Sequence, residues 1–238
     1  MEWTEEGWLK IAGGGKLPAL EAPAPALPVH PWPASPEKDD FDANKLGIEF
    51  QTLRIPADAG WLSLSERPGY LRLRGQESLA SWNRQSLVAR RLRHFRAEAE
   101  TCLEFEPDNF NQGAGLVCYS DESDYFYLRV GYDEELGRHA RVVTCKSGAY
   151  EELEGVVLNE SESRCYLMAA FDHDRLQFRL STDGSAWTDI GPALDAGQLS
   201  DDYEGKLGFA GTMIGLCVQD LSGTKKHADF DYFSYRSV

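Results

Sequence analysis

From Asp39 onward the chain is broken by turn signals at short, regular intervals, and that feature excludes most folds. Glu66-Arg67-Pro68-Gly69, Asp133-Glu134-Glu135-Leu136-Gly137, Lys146-Ser147-Gly148, Asp172-His173-Asp174 and Thr182-Asp183-Gly184 each gather residues that impose or tolerate a reversal of the backbone. Between them lie runs rich in aromatic and β-branched residues, at 125–132, 165–171, 206–209, 214–220 and 228–235. Leu176, Phe178 and Leu180 alternate with Gln177, Arg179 and Ser181, the period of two expected when one face packs inward and the other meets water. No 3.6-residue period outlasts a turn or two; the 80–93 stretch, the best helical candidate, reads as loop then strand. Roughly a dozen strands at this spacing predict an all-β protein, an antiparallel β-sandwich of about 200 residues.

Residues 1–38 follow a different rule. Gly13-Gly14-Gly15 is followed by Pro18, Pro23, Pro25, Pro28, Pro31, Pro33 and Pro36, seven of the eleven prolines within nineteen residues. Proline at that density fixes φ and removes backbone donors, which favours extended chain over helix or interior strand. The expected organisation is a tail of a preceding unit at 1–20, carrying Trp3 and Trp8, a Pro-rich linker at 21–38, and the sandwich at 39–238.

Of 238 residues, 24 are Lys or Arg and 39 are Asp or Glu, a net charge of −15. That acidic balance, with no dense basic stripe, argues against nucleic acid and membrane surfaces as partners. The 42% hydrophobic content is that of a chain that folds by burial. Five cysteines at 102, 118, 145, 165 and 217 are odd in number and widely spaced, with no Cys-x-x-Cys pair, so neither a disulfide framework nor a zinc site is expected. Four of them sit in strand-like runs, where a buried thiol acts as a small hydrophobe. The opening Met1-Glu2-Trp3-Thr4-Glu5-Glu6 lacks the basic region and apolar core of a secretion signal, and a reducing, cytoplasmic location is expected.

Conventional catalytic signals are sparse. Glu106 and Asp108 are spaced so that a strand would project both from one face, as a glycosidase needs, but Pro107 breaks the strand and Asn111 stands where a third carboxylate would help. Glu151-Glu152-Leu153-Glu154 reads as a solvated edge. The histidines at 30, 94, 139, 173 and 227 share no ligand spacing, and nucleophile elbows, phosphate loops and dinucleotide fingerprints are missing. Asp39-Asp40-Phe41-Asp42 and Asp229-Phe230-Asp231 open and close the sandwich. First and last strands often adjoin, so Asp40, Asp42 and Asp231 are candidate ligands of a structural Ca²⁺, the one cofactor the sequence suggests; plain alternation, with phenylalanines inward and acids outward, ranks ahead of it. Ser181-Thr182-Asp183-Gly184-Ser185-Ala186-Trp187 reads as a tight hairpin whose tryptophan anchors the second strand.

A series of blocks in order resembles the C-terminal domain of family 43 glycoside hydrolases of the β-xylosidase type. They are Asp40-Phe41-Asp42, Phe50-Gln51-Thr52-Leu53-Arg54, Arg67-Pro68-Gly69, Leu71-Arg72-Leu73, 85–91, Gly113-Ala114-Gly115-Leu116 and Asp220-Leu221-Ser222-Gly223, with Gly7-Trp8-Leu9 resembling the end of a catalytic domain. The resemblance implies a concanavalin A-like jelly roll packed against an N-terminal five-bladed catalytic β-propeller, whose acids do the chemistry with inversion. The sandwich would close one side of a short pocket for xylo-oligosaccharide or arabinose-containing substrates, and this chain alone would be inactive. The resemblance places the family's wall phenylalanine, in a Gly-Ala-Phe-Val-Gly loop, at Met213 in Gly211-Thr212-Met213-Ile214-Gly215, where a core methionine is the competing reading; Phe209 and Phe110 are further candidates for the pocket wall, with a core position ranked ahead for both. For Arg54, Gln85 and Arg90, packing ranks ahead of sugar contact. Two other readings compete: an independent carbohydrate-binding module using Trp61, Trp82 or Trp187, and a self-sufficient hydrolase using Glu106 and Asp108.

Overall fold

In the computed structural model, which describes residues 1–17, 19–21, 24, 26–159 and 163–238, the chain divides into two units, Met1–Ala34 and Ser35–Val238. In the first, β1 (Glu2–Trp3) pairs antiparallel with β2 (Leu9–Lys10), and the Thr4 hydroxyl accepts from the Trp8 amide at 3.0 Å to close the turn. Of the linker prolines, Pro18, Pro23 and Pro25 lie outside the described residues; residues 26–36 form neither helix nor strand.

The second unit runs through β3 (Lys38–Asp39), β4 (Gln51–Thr52), β5 (Leu62–Ser63), β6 (Leu71–Arg74), β7 (Ser86–Arg91), β8 (Arg96–Glu104), β9 (Gln112–Asp121), β10 (Asp124–Asp133) and β11 (Gly137–Lys146). It continues through β12 (Ala149–Glu152), β13 (Val156–Val157), β14 (Arg164–Asp172), β15 (Arg175–Ser181), β16 (Thr188–Asp195), β17 (Met213–Asp220) and β18 (His227–Ser237). They form two antiparallel sheets. The first has the order β12-β11-β10-β9-β17-β7-β4 with β13 on β11; the second has β16-β15-β14-β8-β18-β6-β5 with β3 on β18. The fold is a β-sandwich, and its first and last strands are neighbours.

Alternation decides which side chains meet between the sheets. Leu116 of β9, Leu128 of β10, Val142 of β11 and Leu216 of β17 face Leu103 of β8, Leu167 of β14, Phe178 of β15 and Phe230 of β18 in one continuous core. The first sheet is unusual in that its outer face is also apolar. Val117, Tyr119, Tyr125, Tyr127, Val143 and Cys217 form a second buried cluster there, with Leu79 supplied by the chain before β7. Strands β9 and β10 are therefore buried on both faces, which is why they read as continuous apolar runs. Between them the backbones approach so closely that a Cβ on Gly115 would overlap the Leu128 carbonyl oxygen.

All five cysteines are unpaired and buried, Cys145 included, which lies in β11. Burial pushes the thiol of Cys102 up to about 11 and those of Cys165 and Cys217 to about 12. The 80–93 stretch is loop then strand, as its pattern predicts. Residues 206–209 are not a strand, against expectation: the Lys206 amide donates to the Tyr203 carbonyl and the Gly208 amide to the Asp201 carbonyl, and among the described residues no neighbouring strand pairs with them.

Candidate functional site

The longest excursion from the two sheets lies between β16 and β17. It opens with a short 3₁₀ turn, Ala196–Leu199, capped by Asp195, whose carboxylate accepts from the Gly197 amide at 2.9 Å. A second, Tyr203–Gly205, follows, and residues 206–212 then run irregularly to Met213.

Two aspartates hold this segment. Asp201 accepts through its side chain from the amides of Ala210 (3.3 Å) and Gly211 (3.0 Å), and through its backbone carbonyl from Gly208 (3.0 Å). Asp124, only 1% exposed at the start of β10, receives the Lys206 ammonium and the Ser147 amide, the latter at 3.0 Å. The Arg91 guanidinium donates to the Ala210 carbonyl. A chain with no regular structure is thus fixed by charge-assisted bonds to two strands. What it displays is apolar: Leu207 is 87% exposed and Phe209 is 95% exposed. Large side chains that are held yet unburied mark a contact surface.

Met213 sits at the foot of this segment. It is half-buried against the outer-face cluster and lines a hollow of about 180 Å³ with Leu53, Leu87, Arg91 and Tyr119. The Tyr119 hydroxyl is buried here without a protein partner, and burial holds its phenol above the ordinary range. No carboxylate or imidazole lines this hollow among the described residues, so it can contribute shape, apolar contact and a hydroxyl but no proton transfer at neutral pH.

Other expected site residues fall elsewhere. Phe110, 63% exposed just before β9, lines a different hollow from Met213, so the three wall candidates do not share one surface cavity. Gln85 is fully buried and donates to the Leu79 carbonyl at 3.2 Å; Arg54 donates to the Ser81 carbonyl at 2.8 Å and pairs with Glu122 at 2.7 Å; Arg90 stacks on Tyr235 with the guanidinium 4.6 Å from the ring centre. All three roles are packing. Trp61 is a core residue whose indole donates to the Pro56 carbonyl at 3.1 Å, which removes it as a sugar platform; Trp187 is half-buried ahead of β16, and Trp82 is exposed. Glu106 and Asp108 are both exposed, and Asp108 is engaged by Lys226 at 2.9 Å, leaving no opposed carboxylate pair.

The calcium trio is likewise not gathered. Asp40 pairs outward with Lys38 at 2.5 Å, Phe41 adopts a left-handed φ of 55° that turns it into the core, and Asp231 lies at the register shift of β18 between Phe230 and Tyr232. Among the described residues no group of three or more His, Cys, Asp or Glu side chains is placed to hold a metal.

A network that the sequence pattern did not reveal lies on the second sheet. Asp229 of β18 takes both Nε and Nη2 of Arg72 at 2.7 Å and Nη1 of Arg67 at 2.9 Å; Arg67 also reaches Glu104 at 2.7 Å, and Arg164 reaches Glu104 at 2.6 Å. Burial raises the Asp229 carboxyl, but the two guanidinium groups outweigh it and hold the acid below the ordinary range. The network joins β6, β8, β14 and β18, and it is structural.

An antiparallel β-sandwich that carries an anchored, exposed apolar excursion is the class of domain defined by the two sheets and the 196–212 segment. The chain belongs to the β-xylosidase C-terminal concanavalin A-like domains: the family model of that description matches residues 38–236. It superposes on the crystal structure of xylan β-1,4-xylosidase from Bacillus halodurans C-125 with a TM-score of 0.94 and 47% identity, covering 99% of this chain and 46% of that one. It is 40% identical to a xylan 1,3-β-xylosidase of Vibrio sp. over 98% of its length, and 34% identical to xylosidase/arabinosidase 43B of Humicola insolens over 99%. The chain spans 43% and 45% of those two relatives, less than half of either.

Proposed function

We propose that this chain works as the C-terminal accessory half of a family 43 glycosidase, packed against a catalytic β-propeller and forming one wall of its sugar pocket. The observation that carries the reading is the segment 206–213: a pre-positioned apolar projection with no catalytic group of its own. A wall of this kind excludes water and adds contact to a terminal sugar, which helps position the glycosidic bond without moving a proton. Phe209 and Met213 are the proposed wall residues. Phe209 offers the rigid ring that Met213 lacks, so a phenylalanine remains available although methionine stands in the family's usual place.

The proposed substrates are xylo-oligosaccharides, with arabinose-substituted ones second, in keeping with what the relatives are named for. A reducing, cytoplasmic setting belongs to the proposal and is supported by five unpaired, buried thiols. Release of nitrophenol from aryl β-xyloside and aryl α-arabinofuranoside by the pure chain tests the assignment. No turnover above a mock purification is expected; turnover that co-purifies with the chain would refute it.

A further inference from the structure

A second hollow, of about 290 Å³, lies on the outer face of the first sheet, lined by residues of β10, β11, β12 and β17 and by Phe110 and Asn111 ahead of β9. It is distinct from the hollow beside Met213, and no step of the proposed function uses it. Its polar groups are only partly answered by protein. Among the described residues the side-chain amides of Gln219 and of the half-buried Asn111 have no hydrogen-bond partner, and neither belongs to the fully enclosed polar atoms, so both open onto the groove. Arg129, which is buried, directs Nη1 to the Tyr150 hydroxyl at 3.1 Å and Nη2 to Glu152 at 2.8 Å but leaves Nε unpartnered. A buried guanidinium nitrogen without a protein partner, such as Nε of Arg129, is rare in native proteins, and such groups are found where a ligand or water completes them.

The rims are aromatic. Phe110 is 63% exposed and Tyr150 52%. Tyr150 is braced, since its hydroxyl accepts from Arg129 and donates to Glu152, whose other oxygen accepts from Arg141 at 2.7 Å. A ring held in this way loses little freedom when it meets a ligand. The charges cancel, because Arg129 and Arg141 are matched by Glu152 and Asp133, and an ionic ligand therefore has no counter-charge to find. The volume sits at the low end of small-molecule sites, about 300 to 1,000 Å³. Rigid ring faces, unanswered amides that both donate and accept, and no net charge together match a sugar ring, which offers a C–H face and a rim of hydroxyls.

We propose that this groove binds a short neutral saccharide, independently of the pocket wall at Phe209 and Met213. The saccharide class rests on the groove alone; the choice of a xylo-oligosaccharide as probe rests on the function proposed above. The test is calorimetry and an amide chemical-shift titration of the whole chain with xylohexaose. Saturable, millimolar or tighter binding is expected, with shifts centred on Asn111, Tyr150 and Gln219. Gln219→Ala and Phe110→Ala are each expected to weaken binding about tenfold, a typical consequence of losing one buried polar or aromatic contact. Phe95→Ala, whose ring stacks on His173 in the second sheet's loops at 5.9 Å, should leave it unchanged. Absence of saturation, shifts confined to other surfaces, or wild-type affinity in both groove variants would each overturn the proposal. The wild-type shift map decides the matter even if a variant fails to fold, and none of these results depends on the aryl-glycoside assay.

Discussion

Replacing Asp229 by asparagine tests whether the arginine-carboxylate network holds the second sheet together. The side chain is 6% exposed and accepts three charge-assisted hydrogen bonds, at 2.7, 2.7 and 2.9 Å, from Arg72 and Arg67. Asparagine keeps one acceptor oxygen, loses the charge and turns an amide donor toward a guanidinium. Orphaning a buried charge typically costs about 3–5 kcal/mol. Here Arg67 retains Glu104 at 2.7 Å and Arg72 retains Glu66 at 3.5 Å, so neither is orphaned. The expected loss is accordingly about 2–3 kcal/mol, which for a chain of this size is a melting shift of roughly 4–12 °C.

The pH dependence adds a second reading of the same substitution. Asp229 and Glu104 are both held below their ordinary values, Asp229 against burial by Arg72 and Arg67, Glu104 against burial by Arg67 and Arg164. Depressed carboxylates contribute fully above their unfolded-state values, and that stability is lost as the pH falls through the folded ones. The gap between wild type and Asp229→Asn should therefore be full at neutral pH and narrow below about pH 4. Urea unfolding followed by tryptophan fluorescence measures both quantities. A loss under about 0.5 kcal/mol at neutral pH, the range of an ordinary surface substitution, would refute the reasoning, as would a gap that does not change with pH.

Further expectations follow from single features. Phe209→Ala should leave the stability of the chain within about 0.5 kcal/mol, because the ring is 95% exposed, while raising KM of an enzyme assembled with a catalytic propeller; urea titration and steady-state kinetics check the two halves. Asp124→Asn should loosen the 206–212 segment by removing the partner of Lys206, seen as faster amide exchange and proteolysis there with strands β8 and β14 unchanged. Gly115→Ala should cost about 2–3 kcal/mol or more by thermal melting, since its Cβ meets backbone and not a movable side chain. All five thiols should resist a thiol reagent in the native state and react together in urea, which counting released chromophore would show.

Much of the fold was legible because its signals are local. Turn residues and the period of two located β10, β14, β15, β17 and β18 within a residue or two at either end, and the ordered blocks from Asp40 to Gly223 carried the family. What was not legible depends on distant partners. The 206–209 run has strand-like composition, yet the Tyr203 and Asp201 carbonyls take two of its amides and the far Asp124 takes its lysine. Trp61 and Trp82 are equally plausible platforms on paper, and only tertiary packing buries the first and exposes the second. The apolar outer face of the first sheet looks in sequence like a fully buried strand pair, so Gln219 gave no sign that it faces a groove. Phe110 was picked out as an aromatic near the end of a strand, but nothing in one sequence says which hollow it lines.

The account's central claim is that these residues shape a sugar pocket whose chemistry is supplied by a catalytic partner. The most direct measurement compares aryl β-xyloside turnover by three proteins: this chain, the catalytic half of the Bacillus halodurans enzyme, and that half fused to this chain in place of its own C-terminal domain. The account predicts no turnover by the chain, weak turnover by the catalytic half, and restored turnover by the fusion, diminished again by Phe209→Ala. Activity in the chain by itself, or a fusion no better than the bare catalytic half, would contradict it.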